Sequence, residues 1–122
     1  MAREYLSSID TAMLHLDEPT NPMVITAVMI FKAPIDFARL SQTVEIRILG
    51  MRRFRQRLAW SRLGTGKPYW QDDLYFDLGY HLQRATLPPP GDQTALQDVV
   101  SLLASTPLDR SRPLWQFHLI EN

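Results

Sequence analysis

The chain has no cysteine. That absence excludes a disulfide framework, a thiolate nucleophile and a cysteine-based zinc site, and it fits a reducing compartment. An excess of one charge sign is missing too. Thirteen Lys and Arg are matched by thirteen Asp and Glu, so no global field draws the chain to nucleic acid or to an anionic membrane. Long apolar runs are absent. The best of them, Met23 to Phe31, is nine residues and includes Thr26, whereas a helix needs about 20 to cross a bilayer. The opening Met1-Ala2-Arg3-Glu4-Tyr5 lacks the apolar core of a signal peptide. The expectation is a cytoplasmic chain with no leader and no transmembrane helix.

What is present suits one packed unit. With 122 residues, 45% of them apolar and 21% charged, the chain can bury roughly 65% of its unfolded surface. Ser7-Ser8-Ile9-Asp10 has the S-x-x-D form of a helix start, and Ile9, Met13 and Leu16 follow at helical spacing. Glu18-Pro19-Thr20-Asn21-Pro22 reads as the turn that ends it. Met23 to Phe31 is β-branched and apolar on both faces, which predicts a short strand buried on both sides. Asp36 is placed to cap a helix carrying Phe37, Leu40, Val44 and Ile48 on one stripe, ending near Gly50.

Phe54 to Trp60 and Pro68 to Gln71 flank Gly64-Thr65-Gly66-Lys67, the pattern of a hairpin with a glycine-rich turn. His81 to Leu87 reads as a strand, and Pro88-Pro89-Pro90-Gly91 as a stiff connector. Thr94-Ala95-Leu96-Gln97 has a capping-box form ahead of Leu96, Val99, Val100 and Leu103, a helical face that runs until Pro107. Leu114 to Ile120 alternates as a last strand. Mixed helices and strands without an internal repeat predict an α/β or α+β domain with a mixed sheet, in one piece over residues 1–122.

Few residues invite chemistry. The three histidines, His15, His81 and His118, have no second histidine at metal-ligand or catalytic spacing. Asp17 and Glu18 follow His15 at i+2 and i+3 on a fraying helix end, a weak arrangement. His118 on a strand is the most tempting general base, but it has no visible partner. Asp72, Asp73 and Asp77 read as a solvated turn rather than a calcium loop, for want of the glycine and the spaced acids. Gly64-x-Gly66-Lys67 lacks phosphate-loop spacing, and Pro68 stands where a Ser or Thr would be needed. No metal site is expected.

The basic stretch has two open readings. Six arginines and no acid lie between Arg47 and Arg62, interleaved with Phe54 and Trp60. Arg52, Arg53, Arg55 and Arg57 can form a surface for lipid headgroups or for an anionic cofactor such as coenzyme A. Alternatively, Arg55 and Arg57 are the wet face of a half-buried strand whose other face carries Phe54, Gln56 and Leu58. Neutral total charge ranks nucleic acid last. Pro113-Leu114-Trp115 has a structural reading: proline forces extended geometry and a large aromatic then enters a core, with Asp109 free to pair with Arg110 or Arg112.

Five pieces, in order, resemble the bacterial wax ester synthase/acyl-CoA:diacylglycerol acyltransferase family. They are Leu6-Ser7-x-x-Asp10, Asn21-Pro22-Met23, Phe54-Arg55-Gln56-Arg57-Leu58, Phe76-Asp77-Leu78-x-Tyr80-His81, and Pro107 through Glu121 with its Pro113-Leu114-Trp115 element. The resemblance implies the N-terminal part of a lobe of the coenzyme A-dependent acyltransferase fold, the chloramphenicol acetyltransferase-like one. It implies transfer of an acyl chain from acyl-CoA to diacylglycerol or a fatty alcohol, in triacylglycerol synthesis, with no metal or prosthetic group. In such proteins the second histidine of a His-His-x-x-x-Asp-Gly motif serves as general base. That motif lies beyond a strand like Gln116 to Glu121 and is absent here, so no catalytic residue is carried over and the chain is expected to be inactive by itself. It is read as a truncated product, or as half of a split enzyme whose second chain carries the motif, prone to self-association through exposed strand edges. The alternative is a non-catalytic module that attaches to membranes, lipid inclusions or another protein through its basic patch.

Overall fold

A computed structural model of the chain describes residues 3–16, 24–64 and 66–122. The short strand β1 (Glu4–Tyr5) leads into helix α1 (Ser8–Leu16). Ser7 caps that helix, its Oγ accepting from the Asp10 amide at 3.1 Å, which satisfies one of the free donors of the first turn. The turn expected at 18–22 lies outside the described residues.

Residues 24–31 overturn an expectation. They form no strand, and all but Val24 are exposed. The composition of a doubly buried strand is realised only when neighbours supply two hydrogen-bonded edges and two apolar faces. Among the described residues no strand pairs with this segment.

Helix α2 (Phe37–Thr43) starts where Asp36 accepts from the Ala38 amide at 3.0 Å, then widens into a π-turn over Val44–Ile48. Val44 is the fully buried member of its apolar stripe. A 3₁₀ turn, Arg52–Arg55, follows. It delays the hairpin by two residues against expectation, because Phe54 bonds back to the Met51 carbonyl at 3.1 Å instead of joining a ladder. Strand β2 (Gln56–Ala59) then pairs antiparallel with β3 (Tyr69–Asp72), Leu58 opposite Trp70. Gly64 and Gly66 turn the chain at positive φ, 66° and 83°, a region that other residues reach only with strain. β3 also pairs with β1, giving a sheet of order β1-β3-β2.

The second half is a parallel crossover. Asp77 caps the one-turn helix α3 (Leu78–His81), which runs directly into β4 (Leu82–Thr86). Helix α4 (Gln93–Ala104) returns the chain to β5 (Phe117–Glu121), which pairs parallel with β4. The cap of α4 is Asp92, accepting from the Ala95 amide at 2.9 Å. Thr94, favoured by the capping-box pattern, already lies inside the helix. Among the described residues, Leu6, Val44, Leu58, Ala59, Leu82, Ala95 and Leu119 are the buried apolar side chains, joined by Pro68 and Pro113. Among the described residues no helix is long and apolar enough to cross a membrane.

Candidate functional site

The last strand is expected from Leu114, with Pro113 just ahead of it. In the structure Leu114 and Trp115 precede it as well. Trp115 is held back by three bonds: its amide donates to the Pro113 carbonyl at 3.1 Å, its indole N–H to the Phe54 carbonyl at 2.8 Å, and its carbonyl accepts from His81 Nδ1 at 2.7 Å. A residue bonded in this way cannot also take a place in the β4–β5 ladder, so β5 begins two residues later.

Around Trp115 the rings close into one cluster. His81, Trp115 and Phe76 form a triangle of rings: His81 is 4.5 Å from Trp115 between centroids and 4.8 Å from Phe76, within 3° of parallel to it, while Phe76 and Trp115 are 6.2 Å apart, and Tyr80 stands edge-on to His81 at 5.0 Å. Phe54 and Phe117 meet the indole edge-on at 6.1 and 5.7 Å. Edge-to-face and offset stacks are the favoured aromatic geometries, each adding about 0.5–1.5 kcal/mol beyond area burial. Arg112 lies 4.1 Å above the Tyr80 ring and pairs with Asp109 at 3.4 Å. Arg110 instead reaches the Leu14 carbonyl at 2.8 Å. Bonds from Ser111 hold the Asp109 carboxyl below its ordinary pKa, which keeps the turn charged and fixed.

His81 is the residue that sequence reasoning underrated. It is wholly buried. A carbonyl only accepts, so the proton sits on Nδ1 and Nε2 is a lone pair; that nitrogen is buried with no partner. Burial pushes the His81 pKa below its ordinary value, with the Arg112 cation acting in the same direction. The available signal was the run Phe76-x-x-x-Tyr80-His81, three rings close together in sequence, read before only as a family match.

The other candidates scatter. His118 is half-buried on β5 with Nε2 3.3 Å from Gln116 Oε1, and burial lowers its pKa. His15 is exposed at the end of α1. Asp73 caps a turn through the Tyr75 amide at 3.0 Å, and Asp77 caps α3. Among the described residues no group of three or more His, Cys, Asp or Glu is placed to hold a metal.

The arginine patch divides. Arg52 forms a two-pronged pair with Asp72 at 3.1 and 3.2 Å, and their hydrogen bonds raise the Arg52 pKa and lower that of Asp72. Arg53 pairs with Glu4 and lies 4.4 Å from the Trp70 ring. These two tie the 3₁₀ turn to the central strand β3 and to the outer strand β1. Arg55 is exposed, while Arg57 is half-buried and donates to the Leu58 carbonyl at 3.4 Å. Gln56 and Leu58 are buried on one face of β2, and on the other Arg57 is half-buried and Ala59 buried, so little of β2 meets solvent. Beside it an open depression of about 520 Å³ is lined by Arg57, Trp60, Tyr69 and Gln71.

A small antiparallel sheet and a β4–α4–β5 parallel crossover make up a mixed α/β unit. The family model described as "Wax ester synthase/diacylglycerol acyltransferase catalytic domain" matches residues 6–122. A probable diacylglycerol O-acyltransferase of Mycobacterium tuberculosis, tgs3, is 37% identical over 119 residues, covering 95% of this chain and 44% of its own length. A second from the same organism, tgs1, is 35% identical, covering 96% and 26%. The solved structure of a wax ester synthase/diacylglycerol acyltransferase from Marinobacter aquaeolei superposes with a TM-score of 0.72 at 32% identity, covering 97% of this chain and 29% of that one. The chain belongs to the wax ester synthase/diacylglycerol acyltransferase family. It spans less than half the length of the relatives it matches.

Proposed function

We propose that the chain contributes the N-terminal portion of an O-acyltransferase that moves a long acyl group from acyl-CoA to diacylglycerol or a fatty alcohol. The observation that carries this reading is the superposition on the Marinobacter acyltransferase over 97% of the chain. The described side chains suit a scaffold. His81 spends one nitrogen on a carbonyl and seals the other, and His118 meets only a glutamine. The reading therefore gives the general base to the remainder of the family's length, whether on the same polypeptide or on a second one. Acyl-CoA is substrate here, and no metal or prosthetic group is invoked.

The test mixes this chain with a polypeptide matching the remainder of the Marinobacter relative and assays transfer from a long-chain acyl-CoA to diacylglycerol or hexadecanol. Transfer that requires both polypeptides is expected. A stable complex of the two without transfer, or transfer by this chain alone, would refute the assignment.

One observation favours lipid contact as part of the same enzyme rather than as a separate binding module. Trp60 and Leu63 are exposed at the hairpin tip, next to the exposed Arg62 and Lys67 and with no acid from Arg53 to Gln71. Such a tip suits a peripheral position at a membrane or lipid inclusion from the cytoplasmic side.

A further inference from the structure

We infer that neutral His81 is a positioning residue, locking the segment 113–115 against the segment 76–81 and thereby setting the register of β5 on β4, and that acid opens this lock. The lock stands on geometry alone; only its consequence for acyl transfer rests on the reading above.

The seam is short and doubly tied. His81 is followed at once by Leu82, the first residue of β4, and Leu82 pairs with Phe117, the first residue of β5. Two residues before Phe117 is Trp115, whose carbonyl takes the His81 Nδ1–H at 2.7 Å. The same tryptophan is pinned by its indole to the Phe54 carbonyl at 2.8 Å. A second tie crosses the seam where the side-chain amides of Gln83 and Gln116 both donate to the Tyr80 carbonyl, at 2.9 and 3.0 Å. A slip of one residue in a strand sends every side chain to the opposite face. Leu119 would then leave the core, so the bond from His81 is placed where it discriminates between registers.

The lock works in one protonation state. A proton on Nε2 creates a buried N–H with no acceptor and places a charge in a site closed to water. Of the charged groups facing the ring, Arg112 opposes that proton, while Asp73 and Asp77 favour it. Both carboxylates are already engaged, with the Tyr75 and Gly79 amides. Protonation is therefore coupled to withdrawal of the ring, which frees the Trp115 carbonyl and the start of β5. If the closed form excludes the proton and the open form titrates normally, the open population grows roughly tenfold per pH unit below about 6.5.

The experiment follows the three indole N–H signals of the ¹⁵N-labelled chain and their hydrogen exchange between pH 8 and pH 5. His81→Asn keeps an amide donor near the Nδ1 place and cannot titrate. His81→Phe removes the donor. The wild type should show slow Trp115 indole exchange at high pH, and the ratio of its exchange rate to that of H81N should rise roughly tenfold per unit below about pH 6.5. H81N should keep the slow exchange at both ends, and H81F should lose it throughout. A wild-type ratio that stays flat, or an acid transition that survives in H81N, overturns the lock. Acyl transfer by the two-polypeptide mixture, measured over the same pH range, is scored separately. A lock that titrates while the mixture stays inactive refutes only the acyl-transfer reading.

Discussion

The exposed segment 24–31 makes self-association a quantitative matter. Ile25 is 99% exposed, Ile30 80%, Met29 71% and Phe31 58%. Full burial of such a side chain contributes about 1.5–3 kcal/mol, so the four together offer roughly 6–12 kcal/mol. Association costs roughly 4–15 kcal/mol in lost freedom. At the favourable end about 8 kcal/mol remains, a dissociation constant of about 1 μM, and where about 4 kcal/mol remains the constant is about 1 mM. Replacing Ile25 and Ile30 together by Asp removes about half of the favourable contribution and should raise that constant by at least two powers of ten. Neither side chain touches the described core, so circular dichroism should not change. Sedimentation velocity over a concentration series reads the result. A wild-type chain that remains a 14.1 kDa monomer at every concentration, or a double variant that associates as strongly as wild type, refutes the reasoning.

Leu58→Ala should destabilise the fold by about 2–5 kcal/mol in urea titration, whereas the exposed Leu63→Ala should change it by less than about 0.5 kcal/mol. Equal effects would mean that the β2–β3 sheet is not packed around Leu58. Asp92→Ala should cost about 1 kcal/mol through the lost cap of α4, while Thr94→Ala should cost much less; the reverse order would restore the capping-box reading. Because the folded pKa of His81 is depressed, the unfolded chain binds the extra proton. Its contribution to stability should be whole above about pH 6.5 and fall as pH drops below that value, and a urea midpoint that rises on acidification would contradict the sign. Flotation with anionic vesicles should recover the wild-type chain but not the Arg55→Glu/Arg62→Glu variant, and equal recovery of the two would remove the lipid-facing role of the hairpin.

Local signals were legible and distant ones were not. Ser7 and Asp36 could be read as caps because a cap and its amide lie two or three residues apart. The hairpin turn could be read because Gly64 and Gly66 supply positive φ. Segment 24–31 was misread because strand composition reports an environment, and that environment must come from other strands. The arginines were half-read. Alternation gave the buried Gln56 and Leu58, but Arg55 belongs to the 3₁₀ turn and Ala59 beside Arg57 is buried, and the acids that pair with Arg52 and Arg53 are 20 and 49 residues away. The start of β5 was placed too early because nothing local reveals that Trp115 owes its carbonyl to a histidine 34 residues upstream.

The Pro113-Leu114-Trp115 element closes that distance through Trp115. Two of the pieces that carry the family resemblance, residues 76–81 and 107–121, are separate in sequence and meet at the His81–Trp115 contact. A third, residues 54–58, joins them through the Phe54 carbonyl and ring. Their common role is geometric. An imidazole whose Nδ1 proton is committed to a carbonyl and whose Nε2 is sealed from water cannot also exchange protons with a substrate. In the closed arrangement His81 can therefore hold the Trp115 carbonyl or exchange protons with a solute, and not both at once.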